Sequence, residues 1–430
     1  RRVARVLDLL ASLTPAITDL HLLAQAVEPA AAASGGIDHK VWAYAGFILL
    51  VLIFLALDLG VFHRHAHVVK FKEALTWSVI WVTTGVLFSG FVYLAYQNHW
   101  LDLGMNTPKY NTHELAGKSP DQPLIIRGEV QGFEAAKQYL VGYVVEKSLA
   151  MDNIFVIAMI FSFFAVPAKY QHRVLFWGII GALIMRGAMI GLGAGAILRY
   201  QWILIVFGVF LLLTSLKMAI IKSESDPSKN PIVRLVRKIY PITDFYDGQR
   251  FFTRRTLAPT YSEDPATGEL KQDPPPPGTL RARYALTPLF LALIMVEITD
   301  LIFAVDSIPA IFGITPDPFI VFTSNIFAIL GLRSLYFCLA ALIMKFRYLK
   351  PALILILSFV GVKLLLLSVP PYLPALFNWM GFEFEAARPI KIDTTISLLV
   401  VLGLLGGAII ASVLHPARPE EGEGVQPPVP

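Results

Sequence analysis

Eleven charged side chains stand in stretches that are otherwise apolar: Asp58, Glu146, Lys147, Asp152, Arg186, Lys217, Glu297, Asp300, Asp306, Arg333 and Lys363. Charges in such surroundings are expensive, and where they persist they mark ion paths, proton relays or buried pairs. Six of them are acids, and Asn153, Ser307 and Asn325 lie close to acids or in the following span. Together these nine residues offer only oxygen and amide donors. All histidines fall outside or at the ends of the apolar runs, and Cys338 is the single cysteine. A hard oxygen site favours Mn²⁺, Mg²⁺ or Ca²⁺ over Zn²⁺ or Cu⁺. The rival chemistry is purely structural, because acids and bases nearly balance and could pair off to hold a bundle together. Arg186, Arg333, Lys217 and Lys363 read best as such charge-balancing partners.

Enzymatic chemistry has little to stand on. His-Glu-x-x-His, Gly-x-Ser-x-Gly and phosphate-cradling glycine loops are all missing. A membrane aspartyl protease would need a glycine beside Asp306 to open the site, and the sequence there is Val-Asp-Ser-Ile-Pro. No catalytic residue and no prosthetic group are expected, and a metal ion would be cargo. His63, His65 and His67 alternate at the end of the first apolar run. They suit a solvated basic turn better than a metal site.

The elements that position these groups are transmembrane helices. The chain has 430 residues, 56% hydrophobic and 16% charged, against about 25% charged in a soluble domain. Its mean hydropathy is +0.62. One cysteine excludes a disulfide framework and any Cys-based metal site. A bilayer crossing takes about 20 apolar residues, and nine runs qualify: 41–62, 74–96, 138–164, 174–198, 202–221, 287–312, 318–344, 351–369 and 394–415. The predicted fold is therefore all-α and polytopic. Residues 1–40 form an extracytoplasmic tail, 97–137 an outer loop, 222–286 a Pro-rich cytoplasmic loop without a core of its own, and 416–430 a disordered tail. Lys and Arg concentrate in alternate loops, which sets those loops in the cytoplasm, the N-terminus outside and the C-terminus inside. The same loops account for the net charge of +5 without nucleic acid; the bilayer is the expected partner.

The intramembrane charges also repeat. Glu146-Lys-Ser-Leu-Ala-Met-Asp152-Asn153-Ile matches Asp300-Leu-Ile-Phe-Ala-Val-Asp306-Ser307-Ile, two acids six apart followed by a small polar residue. One Arg follows in the next span of each half (Arg186, Arg333), then one Lys (Lys217, Lys363). Residues 138–221 and 287–369 thus read as two three-helix repeats. An odd number of helices inverts the second copy, which is a transporter architecture with its site at the repeat interface. Glu297 and Asp300 share a face, whereas Asp306 lies about 240° round and about 9 Å along an ideal helix from Asp300. Pro309 follows, so the sequence predicts a kink or unwinding near Asp306 that lets the carboxylates converge.

At these motifs the chain becomes recognisable. Glu146-Lys-Ser-Leu-Ala-Met-Asp-Asn-Ile-Phe155 and Val296-Glu-Ile-Thr-Asp-Leu-Ile-Phe-Ala-Val-Asp-Ser-Ile-Pro-Ala-Ile-Phe312 resemble the signatures of the TerC family, closest to its Alx branch. Thr323 to Tyr336 is similar to the family's next helix, and Thr243 to Phe252 to its cytoplasmic loop. The resemblance spans about residues 41–411. It implies a bacterial inner-membrane protein of a family named for tellurium resistance. Several of its members are associated with manganese export, and a plastid relative with membrane-protein assembly. The matched acidic positions are Asp58, Glu146, Asp152, Asn153, Glu297, Asp300 and Asp306. The expected function is export of a divalent cation, Mn²⁺ foremost. The alternative is a non-transporting assembly or stress-resistance factor.

Overall fold

The computed structural model describes residues 39–60, 71–111, 124–220, 240–263, 270–276, 278–340, 348–370, 373 and 389–415. The N-terminal tail, the three alternating histidines and the tail after His415 lie outside these. The chain divides into two units, Arg1–Val51 and Leu52–Pro430. The described part of the first is the opening half of helix α1, Lys40–Gly60.

The second unit is built from long helices: α2 (Phe71–Gln97), α3 (Gly132–Phe163), α4 (Ala168–Arg199), α5 (Ile203–Ile220), α6 (Pro288–Phe312), α7 (Pro318–Ile329), α8 (Leu332–Ala340), α9 (Leu349–Ser368) and α10 (Thr394–Leu414). Eight helical stretches of the described chain are long and apolar enough to cross a bilayer, with α7 and α8 counting as one and α3 excluded. The excluded helix carries Glu146, Lys147 and Asp152 among its charges, yet it is the centre of the bundle. It packs against α2, α6, α7, α8 and α10. Surrounding a charged helix with apolar ones is how such a sequence keeps its charges away from hydrocarbon. Helices α5 and α9 form the most extensive pair. They approach at Gly208 and Gly361, where a Cβ on either would lie 3.2–3.3 Å from the other's carbonyl oxygen. Small residues at a crossing permit this close backbone approach.

The helix break predicted beside Pro309 is not there. Helix α6 runs unbroken to Phe312, and α3 is likewise continuous through Asp152. Proline removes one backbone N–H, but Pro309 stands three residues from the helix end. Losing one hydrogen bond there is cheaper than unwinding the buried run from Ser307 to Pro309. The break falls one span later. Leu330 is extended and caps α7, Gly331 has φ +75°, and α8 restarts at Leu332. Positive φ at this step suits glycine, and a Cβ at Gly331 would sit 2.5 Å from that of Trp81.

The connecting segments carry strands, an addition to the all-α expectation for a mostly helical chain. Strand β1 (Thr107–Tyr110) pairs antiparallel with β2 (Ile125–Gly128) in the loop between α2 and α3. Between α5 and α6, β3 (Phe252–Arg255) pairs with β6 (Leu280–Leu286), and β4 (Tyr261–Glu263) with β5 (Leu270–Gln272). The Pro-rich loop therefore closes on itself as two ribbons, tied by buried Asp247, which accepts a 2.6 Å hydrogen bond from Thr253.

Side-chain contacts show which connections share an end of the bundle. Tyr110 Oη donates to the carbonyl of Phe312, Tyr96 Oη donates to Asp317 at 2.6 Å, and Leu124 N–H donates to Gln201 at 2.7 Å. Thr394 donates to Glu134 at 2.9 Å. The loops after α2, α4, α6 and α9 thus meet at one end. Elsewhere Tyr246 Oη donates to the carbonyl of Phe164 at 2.5 Å, and the Arg173 guanidinium lies over the Phe251 ring. These contacts join the loops after α3 and α5. The N–H of Tyr348, just before α9, donates to Ser412 near the end of α10. Burial raises the Tyr110 phenol above its usual range and pushes that of Tyr246 up to about 12, so both remain donors at neutral pH.

Candidate functional site

Arg186 is the organising side chain. It sits midway along α4, is 0% exposed, and reaches three other helices. Its Nε and one terminal nitrogen donate to the two oxygens of Asp300 on α6 at 3.1 and 2.9 Å. Its other terminal nitrogen donates to Glu146 on α3 and, at 3.0 Å, to Asn325 on α7. The planar fork of a guanidinium suits this bidentate-plus-two geometry, which a lysine could not reproduce. Two of the six predicted acids, with Asn325, are therefore held by one arginine.

Beside this network lies a small cavity of about 30 Å³, lined by Glu146, Asn153, Asp306 and Ser307 together with Leu149, Met218, Phe303, Leu353 and Leu357. Three polar atoms of its lining residues are buried without a hydrogen-bond partner among the described residues: Glu146 Oε2, Asn153 Oδ1 and Ser307 Oγ. Asn325 Nδ2 and Glu297 Oε2 are in the same condition. Buried polar atoms are nearly always partnered, so orphans gathered about one cavity are a feature of the site. Asp306 is partly buried and accepts a 3.1 Å hydrogen bond from Thr214 on α5. Each half contributes: α3 gives Glu146 and Asn153, and α6 gives Asp306 and Ser307.

The remaining residues fall elsewhere. Glu297 packs its carboxylate against Gly181 of α4, where any Cβ would collide with it. Lys363 is buried and donates to Ser397 of α10 at 2.8 Å. Lys217 is exposed and Arg333 buried. The side chains of Asp58 and Asp152 lie outside the described residues. Among the described residues, no three His, Cys, Asp or Glu side chains cluster closely enough to hold a metal. Of the nine-residue metal set, the seven whose side chains are described fall into an arginine-bound group (Glu146, Asp300, Asn325), a cavity group (Glu146, Asn153, Asp306, Ser307) and Glu297, which lies against Gly181. Sequence reasoning passed over Thr214, whose only signal is a hydroxyl in an apolar span. It also assigned no role to Lys147.

A charged helix at the centre of the bundle, among eight described stretches apolar enough to cross a bilayer, defines a polytopic helical membrane protein. The sequence profile of the integral membrane protein TerC family matches residues 131–420. The chain belongs to that family. It is 40% identical over 372 residues to an uncharacterized membrane protein, STKORF319, of Myxococcus xanthus, covering 86% of this chain and 92% of that one. It is 41% identical over 327 residues to the Escherichia coli K12 protein named "Putative membrane-bound redox modulator Alx", covering 76% of this chain and 86% of that one. The Photorhabdus laumondii protein of the same name is 40% identical over 327 residues, with the same coverage. No solved structure matches this chain.

Proposed function

We propose that this protein exports a hard divalent cation, Mn²⁺ foremost, across a bacterial inner membrane. The observation that carries the reading is the interior cavity lined by two carboxylates, an amide and a hydroxyl from α3 and α6, with three of its oxygens unpartnered. Oxygen ligands of this kind suit Mn²⁺. Arg186 presets Glu146 and Asp300, and the cargo takes the oxygens that Arg186 leaves. On this reading residues 138–221 and 287–369 are inverted repeats whose acids meet at the interface. The basic loops face the cytoplasm and the C-terminus lies inside.

A second reading has one specific observation in its favour. Two of the acids are ion-paired with one buried arginine, as expected of a structural framework in an assembly or stress-response factor. The relatives named as redox modulators fit that class.

Metal flux in sealed vesicles separates the two. Vesicles carrying the wild type should move Mn²⁺. Asp306→Asn and Asp152→Asn, at matched protein level, should lower the rate by on the order of tenfold, because a divalent ion in a low-dielectric site depends on ligand charge. Wild-type flux in both variants, or none above empty vesicles in the wild type, removes the transport reading and favours the second.

A further inference from the structure

Lys147 follows the site acid Glu146 on α3, and its ammonium points at neither the cavity nor an acid that the described residues provide. The side chain is buried, at 8% exposure. Its Nζ donates to two main-chain carbonyls, Ala328 at 3.0 Å and Leu330 at 3.3 Å. Both lie where α7 ends and the chain turns through Gly331 before α8 begins. An unbroken helix would supply each carbonyl with an amide four residues on. The break withdraws that partner, and the ammonium takes its place at a helix C-terminus, where the dipole favours positive charge.

Carbonyls bared by a broken membrane helix, at the negative end of a half-helix, are the donor set that holds a small monovalent cation. We propose that the Lys147 ammonium is a tethered monovalent cation. It permanently fills a main-chain carbonyl site at the α7–α8 break that an alkali ion would otherwise occupy. The same stretch of α7 presents Asn325 to Arg186, so the ammonium at Ala328 and Leu330 fixes the register of the arginine network. One consequence rests on the transport reading: the export cycle then needs no Na⁺ or K⁺ at this position. The carbonyl site itself stands or falls separately.

The test uses the full-length protein purified in detergent, with thermal unfolding followed at constant ionic strength in choline, sodium, potassium or methylammonium chloride. Wild type should unfold at one temperature in all four salts. Lys147→Ala empties the site. Its midpoint should fall in choline and rise again by several degrees in methylammonium or one of the alkali salts, as mass action requires of a ligand that binds only the folded state. A midpoint of Lys147→Ala that ignores the cation overturns the proposal. Should that variant not accumulate, Lys147→Gln decides, since it keeps an N–H donor and drops the charge. It should unfold several degrees below wild type in every salt, and equality with wild type would show that hydrogen bonding alone suffices and reject the tethered cation. These readouts involve no transport. Failure of Mn²⁺ flux in vesicles therefore leaves them standing, and their failure leaves the flux result standing.

Discussion

At the scale of single residues, the arrangement around Arg186 makes the bundle depend on one guanidinium. It compensates Glu146 and Asp300 together. Removing it leaves the buried Glu146 and the partly buried Asp300 without this counter-charge, and breaking a buried pair costs about 3–5 kcal/mol in soluble proteins. Arg186→Met should therefore accumulate poorly in membranes, as read by quantitative immunoblot. Arg186→Lys restores the charge but not the fork, and should recover part of the level. Normal abundance of Arg186→Met with lost function would assign the arginine a direct role. From sequence, Asp300 and Asp306 are two acids of one motif. In the folded chain Asp300 faces the arginine, while Asp306 faces the cavity and Thr214. The roughly 240° between them on an unbroken helix separates their roles.

At the scale of elements, the consequential feature is the break between α7 and α8. Gly331 combines a left-handed backbone with a Cβ position already occupied by Trp81 of α2. Gly331→Ala has to absorb both. The backbone strain alone is on the order of 1–3 kcal/mol, and displacing Trp81 adds to it. The variant should show lower abundance and a lower unfolding temperature, whereas Gly331→Asn, which tolerates positive φ better, should differ from Ala only if strain rather than the Trp81 contact dominates. Equal loss in both variants would assign the effect to packing. Pro309 drew attention to the wrong span because a proline's effect depends on its distance from the helix end. A glycine's tolerance of a break depends on what lies against it, and that is not written in the local sequence.

At the scale of the whole molecule, the contacts between connecting segments argue for alternation. The β1–β2 loop touches the segments after α4 and α6, while Tyr246, before β3, touches the loop after α3. That is the pattern of helices crossing back and forth, and it includes α3 despite its charge. A cysteine introduced at residues 112–123, in a Cys338→Ser background, should react with an impermeant maleimide from outside intact cells. A C-terminal reporter should be active only in the cytoplasm. Protection of the introduced cysteine in intact cells overturns the orientation.

Hydropathy and charge spacing determined the membrane class and the mostly helical fold, and the acidic motifs at Glu146–Phe155 and Val296–Phe312 carried the resemblance to the family. These are local or periodic properties, and a bilayer imposes them on each segment separately. The β3–β6 pairing escaped notice because it joins residues on either side of a proline run that reads as an interruption. Only the tertiary structure decided that Arg186 takes Glu146, Asp300 and Asn325 and leaves Asn153, Asp306 and Ser307 around the cavity. It alone set Lys363 on Ser397 and Lys147 on the carbonyls of the α7–α8 break. Each of those pairings is fixed by how helices distant in sequence are rotated and staggered against one another, and one-dimensional spacing carries no record of that rotation.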